Sequence, residues 1–194
     1  MSVAIIDYGA GNIQSILFAL ERLGVTAIFT DQSDLIQNAD RVIFPGVGEA
    51  SSAMKKLQNS GLDTLIPTLT QPVLGICLGM QLMCIHTEEG NTKGLGIFDT
   101  YVKHFENNTL KVPHMGWNTS QHNDSKLFKE INQGSYFYMV HSYYAQLCKE
   151  TIARMEYGLT FSTALQKNNF FGVQFHPEKS SDAGVQLLQN FLKL

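Results

Sequence analysis

The chain has 194 residues, 44% of them hydrophobic, and carries 14 basic against 17 acidic side chains, enough for one globular domain over 1–194 with a sizeable core. No run of like charge offers a footprint for nucleic acid or an anionic membrane, and nowhere do 18 apolar residues run together, so small molecules or proteins are the partners to expect. Three cysteines without CxxC pairing, and an apolar amino-terminal run with no basic segment or cleavage site, point to free thiols in the cytoplasm and away from a disulfide framework or zinc ribbon.

In chain order, VAIID (3–7) reads as a buried strand. Ile13, Ile16, Leu17, Leu20 and Leu23 then recur at helical spacing, with Asn12 placed to cap that helix and Gly24 to end it. VTAIFT (25–30) predicts a second strand, SDLIQNAD a short helix, and RVIF (41–44) a third strand that stops at Pro45. Helical patterns follow over 49–59 and 62–69. VLGI (73–76) makes a fourth strand running into Cys77, with a helical stretch over 78–87 behind it. Such alternation implies parallel strands with crossover helices on both faces. Beyond about residue 94, LGIFDTYVKHF, YFYMVHSYYAQ, TIARMEYG and FSTALQKNNFFGVQF are strand-like, with KNN as a turn, so the sheet is expected to be mixed. A last helix over SDAGVQLLQNFLKL places Val185, Leu188, Phe191 and Leu192 on one face. The expected class is α/β, three layers around a mixed, mostly parallel sheet.

Chemistry in an open parallel sheet sits beyond the carboxyl ends of its strands, and Cys77 is placed there, inside GICLGMQ. A sharp strand-to-helix turn explains the flanking Gly75 and Gly79: the nucleophile of such an elbow holds a strained backbone, and small neighbours let strand and helix approach. The helix amino-terminus behind the thiol favours a thiolate. By itself GxCxG also describes an ordinary buried cysteine in a turn. Its partners come from FGVQFHPEKS, where His176 follows a strand and Glu178 lies two residues on, on the same side of an extended chain, with Pro177 biasing His176 toward that conformation. The carboxylate then orients one imidazole nitrogen while the other faces the thiol.

Acyl transfer also needs donors for an oxyanion. The amide of Leu78 is one by position, and PGVG (45–48), directly after a strand, supplies a second through the backbone of Val47 or Gly48. Gln81, one helical turn beyond Cys77, is placed to hydrogen-bond a polar substrate. Cys84, read as helical, and Cys148, read as lying at a strand end, are expected to be structural. GAG (9–11) with Asp31 twenty residues on suggests a dinucleotide fingerprint, but its third glycine is replaced by Gln14. The order cysteine, histidine, acid differs from that of the α/β-hydrolases. No two of the six histidines stand at metal-ligand spacing.

GICLGMQ together with FGVQFHPE resembles the signature of the triad-type, class I glutamine amidotransferases, over the whole chain. DYGAGN (7–12), PGVG, PHMGWN (113–118), VHSYY (140–144) and GVQFHPEKS (172–180) are similar to the branch whose members feed a cyclase in histidine biosynthesis. The resemblance implies a catalytic triad of Cys77, His176 and Glu178, and L-glutamine hydrolysis through a thioester on Cys77. It further implies substrate contacts from Gly46, Gln81, Ser142 and Tyr143, and no cofactor or metal. Its implied partner, in a heterodimer, is a (β/α)8-barrel cyclase that receives ammonia through a channel and forms imidazole glycerol phosphate. Trp117 and Asn118, in a loop after Pro113, and Lys179 beside the triad are the candidates for that interface. A glutaminase serving another synthase, a stand-alone cysteine amide or ester hydrolase, and a non-catalytic module with the same fold are the alternatives.

Overall fold

The computed structural model describes residues 1–9, 13–106 and 110–194. The expected cap Asn12, and Gly11 of the GAG segment, lie outside these. The first half alternates as the sequence predicts: β1 (Val3–Ile6), α1 (Gln14–Arg22), β2 (Ala27–Thr30), α2 (Ser33–Gln37), β3 (Arg41–Phe44), α3 (Ala50–Ser60), α4 (Leu62–Leu65), β4 (Val73–Ile76) and α5 (Leu78–Leu82). Helix α1 ends as expected at Gly24, whose φ of +75° lets its N–H reach Glu21 O while Val25 N–H returns to Leu20 O. The helical pattern over 62–69 divides, α4 giving way to a 3-10 turn at Ile66–Thr68 that carries Pro67.

One expectation fails in this half. The helix after Cys77 ends at Leu82 and does not run to 87. Met83 N–H closes it on Gly79 O and Met80 O, and the chain turns into β5 (Cys84–Thr87). The β-branched Ile85 and Thr87 suit the strand, which is held on both sides by β6 (Thr92–Lys93) and β7 (Phe98–His104). Cys84, itself fully buried, therefore opens a strand and is not helical.

The second half contributes β8 (His114–Thr119), β9 (Gln121–His122), β10 (Tyr136–His141), β11 (Tyr143–Ala145), β12 (Thr151–Glu156), β13 (Thr160–Lys167), β14 (Phe170–Val173) and α6 (Ser181–Leu192). Cys148 lies between β11 and β12, in neither strand. The main sheet runs β2-β1-β3-β4-β14-β13-β11-β7-β5-β6, with β12 paired to β13 and β9 to β12. From β2 to β14 all neighbours are parallel, whereas β13 and β11 join antiparallel, so the sheet is mixed as expected.

PHMGWN is the other departure. It forms strand β8 and not a loop, pairing antiparallel with β10 in a separate two-stranded ribbon. Its alternation explains the strand: His114 is buried and Asn118 half-buried, while Met115 and Trp117 are exposed. Likewise YFYMVHSYYAQ is not one strand. It breaks at Ser142, sending β10 to the ribbon and β11 to the main sheet.

Period-two alternation in the central strands divides the core into two layers. Val3, Ile5, Ile43, Leu74 and Ile76 face α1 and α6, which contribute Ile16, Leu20, Leu187, Leu188 and Phe191. Ala4, Ile6, Val42, Phe44 and Val73 face α2, α3 and α4 through Ile36, Met54, Leu57 and Leu62. In α6 the buried stripe includes Leu187, while the expected Val185 is half-buried. Each fully buried leucine or isoleucine on these faces stabilises the fold by about 1.5–3 kcal/mol. With both faces covered, the carboxyl ends of β3, β4 and β14 open together on one edge of the molecule.

Candidate active site

Cys77 leaves β4 with φ +53° and ψ −110°, a left-sided backbone that a residue other than glycine adopts only under constraint. Its N–H donates to Val173 O at 2.8 Å, continuing the β4–β14 ladder one residue past β4, and α5 starts at once behind it. The tight turn depends on its glycines. A β carbon on Gly79 would run into Phe44 O, and one on Gly75 would lie 2.8 Å from Met80 N. This is the strand-to-helix elbow that the glycine spacing predicts.

His176 follows β14 with φ −97° and ψ 95°, extended as Pro177 requires. Pro177–Lys179 then turns into a 3-10 helix, so Glu178 is brought back by that turn and not by an extended chain. The outcome is the expected contact: His176 Nδ1 lies 2.8 Å from Glu178 Oε1, with both side chains almost wholly buried. A carboxylate only accepts, so Nδ1 carries the proton and Nε2 is left for the pocket, where it is buried without a hydrogen-bond partner. Burial works against the imidazolium, but the neighbouring Cys77 sulfur and then Glu178 override it and hold the His176 pKa above the ordinary histidine range.

Cys77, His176, Val47, Gly48, Leu78, Gln81, Ser142 and Tyr143 line one pocket of about 340 Å³. Eight of the residues singled out from the sequence thus meet in a space of amino-acid size. Open grooves of about 780 and 600 Å³ elsewhere hold no histidine bound to a carboxylate. Gly46 sits beneath the pocket, packed so closely that a β carbon would lie 2.6 Å from Gly79 N. Leu78 N–H is 3.4 Å from Gly46 O, a long bond that engages one expected oxyanion donor. Val47 is exposed, and Gly48 has φ +103°.

Gln81 lines the pocket, but its amide nitrogen is committed inward, to Tyr143 O at 3.0 Å and Gln174 Oε1 at 2.8 Å. Asn118 also turns inward, donating to Glu156 O at 3.1 Å. Trp117 is half exposed on the outer face of the ribbon, its ring 6.0 Å from that of Tyr138, and Lys179 Nζ stands 5.9 Å from the Tyr138 ring centre.

Pro113, Val140 and His141 also line the pocket, and three other residues that were not singled out from the sequence bear on the site. Gln174, fully buried, places Nε2 3.6 Å from Cys77 Sγ. Ser180 Oγ donates to His176 O at 2.6 Å and accepts from Tyr138 N–H at 3.0 Å, clamping the histidine backbone to β10. Glu89, whose carboxyl is pushed up chiefly by burial, adds a carboxylate to the pocket wall and accepts from Ala50 N–H at 2.9 Å. Gln174 and Ser180 stand inside the GVQFHPEKS segment itself. Glu89 had no signal, because only the unpredicted turn after β5 brings it near.

A family model described as glutamine amidotransferase class-I matches residues 4–194. Imidazole glycerol phosphate synthase subunit HisH of Bacteroides fragilis is 54% identical, and that of Pectobacterium atrosepticum 48% identical, each over 100% of both chains. Among solved structures, a putative GMP synthase subunit from Thermoplasma acidophilum matches with a TM-score of 0.77 at 18% identity, covering 100% of this chain and 92% of that one. PurLQS from Thermotoga maritima matches at 0.75 and 15%, covering 99% and 97%. At these identities the two structures speak for the fold alone.

Proposed function

The chain belongs to the class-I glutamine amidotransferase family, and from that premise we propose that it is the glutamine-hydrolysing subunit of an imidazole glycerol phosphate synthase in histidine biosynthesis. Residues 1–194 act as one amidotransferase domain, in the cytoplasm. Among the described residues no helix is long and apolar enough to cross a membrane. The observation that carries the reading is the meeting of a strained elbow cysteine with a carboxylate-held histidine in one pocket.

The Cys77 thiolate attacks the side-chain amide carbon of L-glutamine, forming the C–S bond and a tetrahedral oxyanion. His176 gives a proton from Nε2 to the amide nitrogen, which leaves as ammonia when the C–N bond breaks, and Glu178 holds the ring in the tautomer this requires. Water then adds to the thioester carbon, His176 taking its proton, and the C–S bond breaks, so that glutamate departs and the Cys77 thiolate is restored. Leu78 N–H and a backbone N–H at Val47 or Gly48 face the oxyanion. Ser142, Tyr143, Gly46 and Gln81 shape the glutamine site, and Glu89 is the acceptor for the substrate's ammonium group.

The ammonia acceptor is a (β/α)8-barrel cyclase docked on the outer ribbon face. Met115, Trp117 and Tyr136 supply exposed apolar surface there, and Lys179 a cation beside it. Asn118 acts from behind that face. Docking has a task to perform, because freeing Leu78 N–H from Gly46 O and turning the pliable PGVG loop would complete the oxyanion site. The test is steady-state glutamine hydrolysis by the isolated chain, by the complex, and by the complex with the cyclase's nucleotide ligand. A rise of more than about tenfold, or about 1.4 kcal/mol of barrier, is expected, weakened in Trp117→Ala and Lys179→Ala. Equal rates throughout would favour a hydrolase that acts alone.

A further inference from the structure

Two buried histidines take no part in the chemistry above. His114 on β8 and His141 at the end of β10 are register partners in the ribbon, with Nδ1 of His114 3.1 Å from Nε2 of His141. Both are buried, and His141 also stands in the wall of the pocket.

Groups at each end of the pair fix which nitrogens carry protons. His141 Nδ1 lies 2.7 Å from the Tyr143 carbonyl, which can only accept, so Nδ1 bears the proton and Nε2 is bare. A bare Nε2 needs a donor, so His114 Nδ1 is protonated and its own Nε2 is the acceptor. That Nε2 faces the Asn118 amide at 3.4 Å. The amide cannot be flipped: its Oδ1 accepts from Thr119 N–H at 2.8 Å, which leaves Nδ2 as the donor. Every link has one donor and one acceptor, all pointing from Asn118 toward Tyr143. The arrangement requires both rings neutral, and burial keeps them so, pushing His114 down to about 4 and His141 down to about 3. Beyond Tyr143 O the chain of bonds continues through Gln81 and Gln174 to within 3.6 Å of Cys77 Sγ.

We propose that His114 and His141 are positioning residues for glutamine hydrolysis, a neutral relay of fixed tautomers that carries the placement of β8 to the Tyr143 carbonyl in the pocket wall. The proposal rests on reading that pocket as the glutamine site. A packed pair without this task would hold the same tautomers, but a ring of similar shape in place of His114 would leave the kinetics alone. The relay ends on the wall and not on the reacting atoms, so its loss falls on substrate binding.

Two measurements test it. In the wild-type full chain labelled with 15N in histidine, proton–nitrogen correlation spectra are expected to show both rings as Nδ1–H tautomers, untitrated from about pH 5 to about pH 8. In the complex, His114→Phe is expected to raise KM for glutamine about tenfold with kcat nearly unchanged, and His114→Asn, whose amide N–H stands near the lost Nδ1–H, to restore most of it. An Nε2–H tautomer or a titrating ring in the wild type overturns the relay, as does a folded His114→Phe protein with normal KM. Cys77→Ala is assayed alongside. Retained glutamine hydrolysis there would sink the nucleophile assignment instead, while the tautomers still judge the relay.

Discussion

Mild acid should loosen this fold through two side chains. Between pH 7 and pH 5, unfolded His114 and His141 would take up protons with an ordinary pKa of 6.5, while in the folded chain they stay neutral, their pKa values held near 4 and 3 by burial. The unfolded state therefore binds more protons throughout this window, and stability falls as pH falls. At pH 5 each free imidazole is stabilised about thirtyfold by its proton, so each histidine costs the fold about 2 kcal/mol relative to pH 7, or about 4 kcal/mol for the pair. His176 works in the opposite sense. Its folded pKa is raised, so its contribution is complete only below 6.5, and moving to pH 5 returns about 0.8 kcal/mol. A net loss of about 3 kcal/mol is large against a native stability of about 5–15 kcal/mol, and corresponds to about 6–12 °C in Tm for a domain of this size. Urea unfolding of the isolated chain at the two pH values reads it directly. His114→Asn, with nothing to titrate, should remove about half of the acid loss. A wild-type change of less than about 1 kcal/mol would mean that the two rings are not held neutral, and the reasoning would fail.

Ser180→Ala deprives the Tyr138 N–H of its acceptor and His176 O of a donor, and should cost about 1–3 kcal/mol in denaturant unfolding while lowering kcat more than KM. Unchanged values would deny the clamp. Gly79→Ala forces a methyl onto Phe44 O at the elbow; we expect about 1–3 kcal/mol of destabilisation and loss of Cys77 labelling by a glutamine-like electrophile, seen by peptide mass mapping. Cys77→Ala should abolish glutamine-dependent synthesis yet leave ammonium-dependent synthesis in the complex, with Glu178→Gln milder than His176→Ala. Wild-type glutaminase rates in all three would remove the triad.

Where hydrophobic period and glycine spacing agree, the sequence is easily read. Strands β1, β3 and β4 and the turn at Cys77 announce themselves because burial on both faces leaves continuous apolar runs and close approach leaves glycines. The helix expected over 78–87 misled because LGMQLMCIH is apolar apart from Gln81 and His86, and periodicity cannot separate a helix from a strand in so short an apolar run. Partners absent from the local sequence, β6 and β7, decide it. PHMGWN failed for a related reason: glycine and proline read as loop signals, while the strand depends on pairing with β10, about twenty residues on. The convergence of Cys77 and His176, and the His176–Glu178 contact, were legible because each segment is local to one strand end. Glu89 and the His114–His141 pair were not, since each belongs to the site only through the tertiary path of the chain.

The β8–β10 ribbon has a mechanical consequence. It shares no ladder with the main sheet among the described residues, so it is not stiffened by the parallel strands that hold Cys77. A backbone bond nevertheless joins it to the base: His176 N–H donates to Tyr138 O at 3.0 Å, on the residue paired with Trp117. The sulfur is thus mounted on the rigid body and the imidazole is braced against a lever whose outer side is open to a neighbour. A load on Trp117 is expected to reach the His176 backbone through its register partner Tyr138, so the separation of Cys77 and His176 would answer to where the ribbon sits.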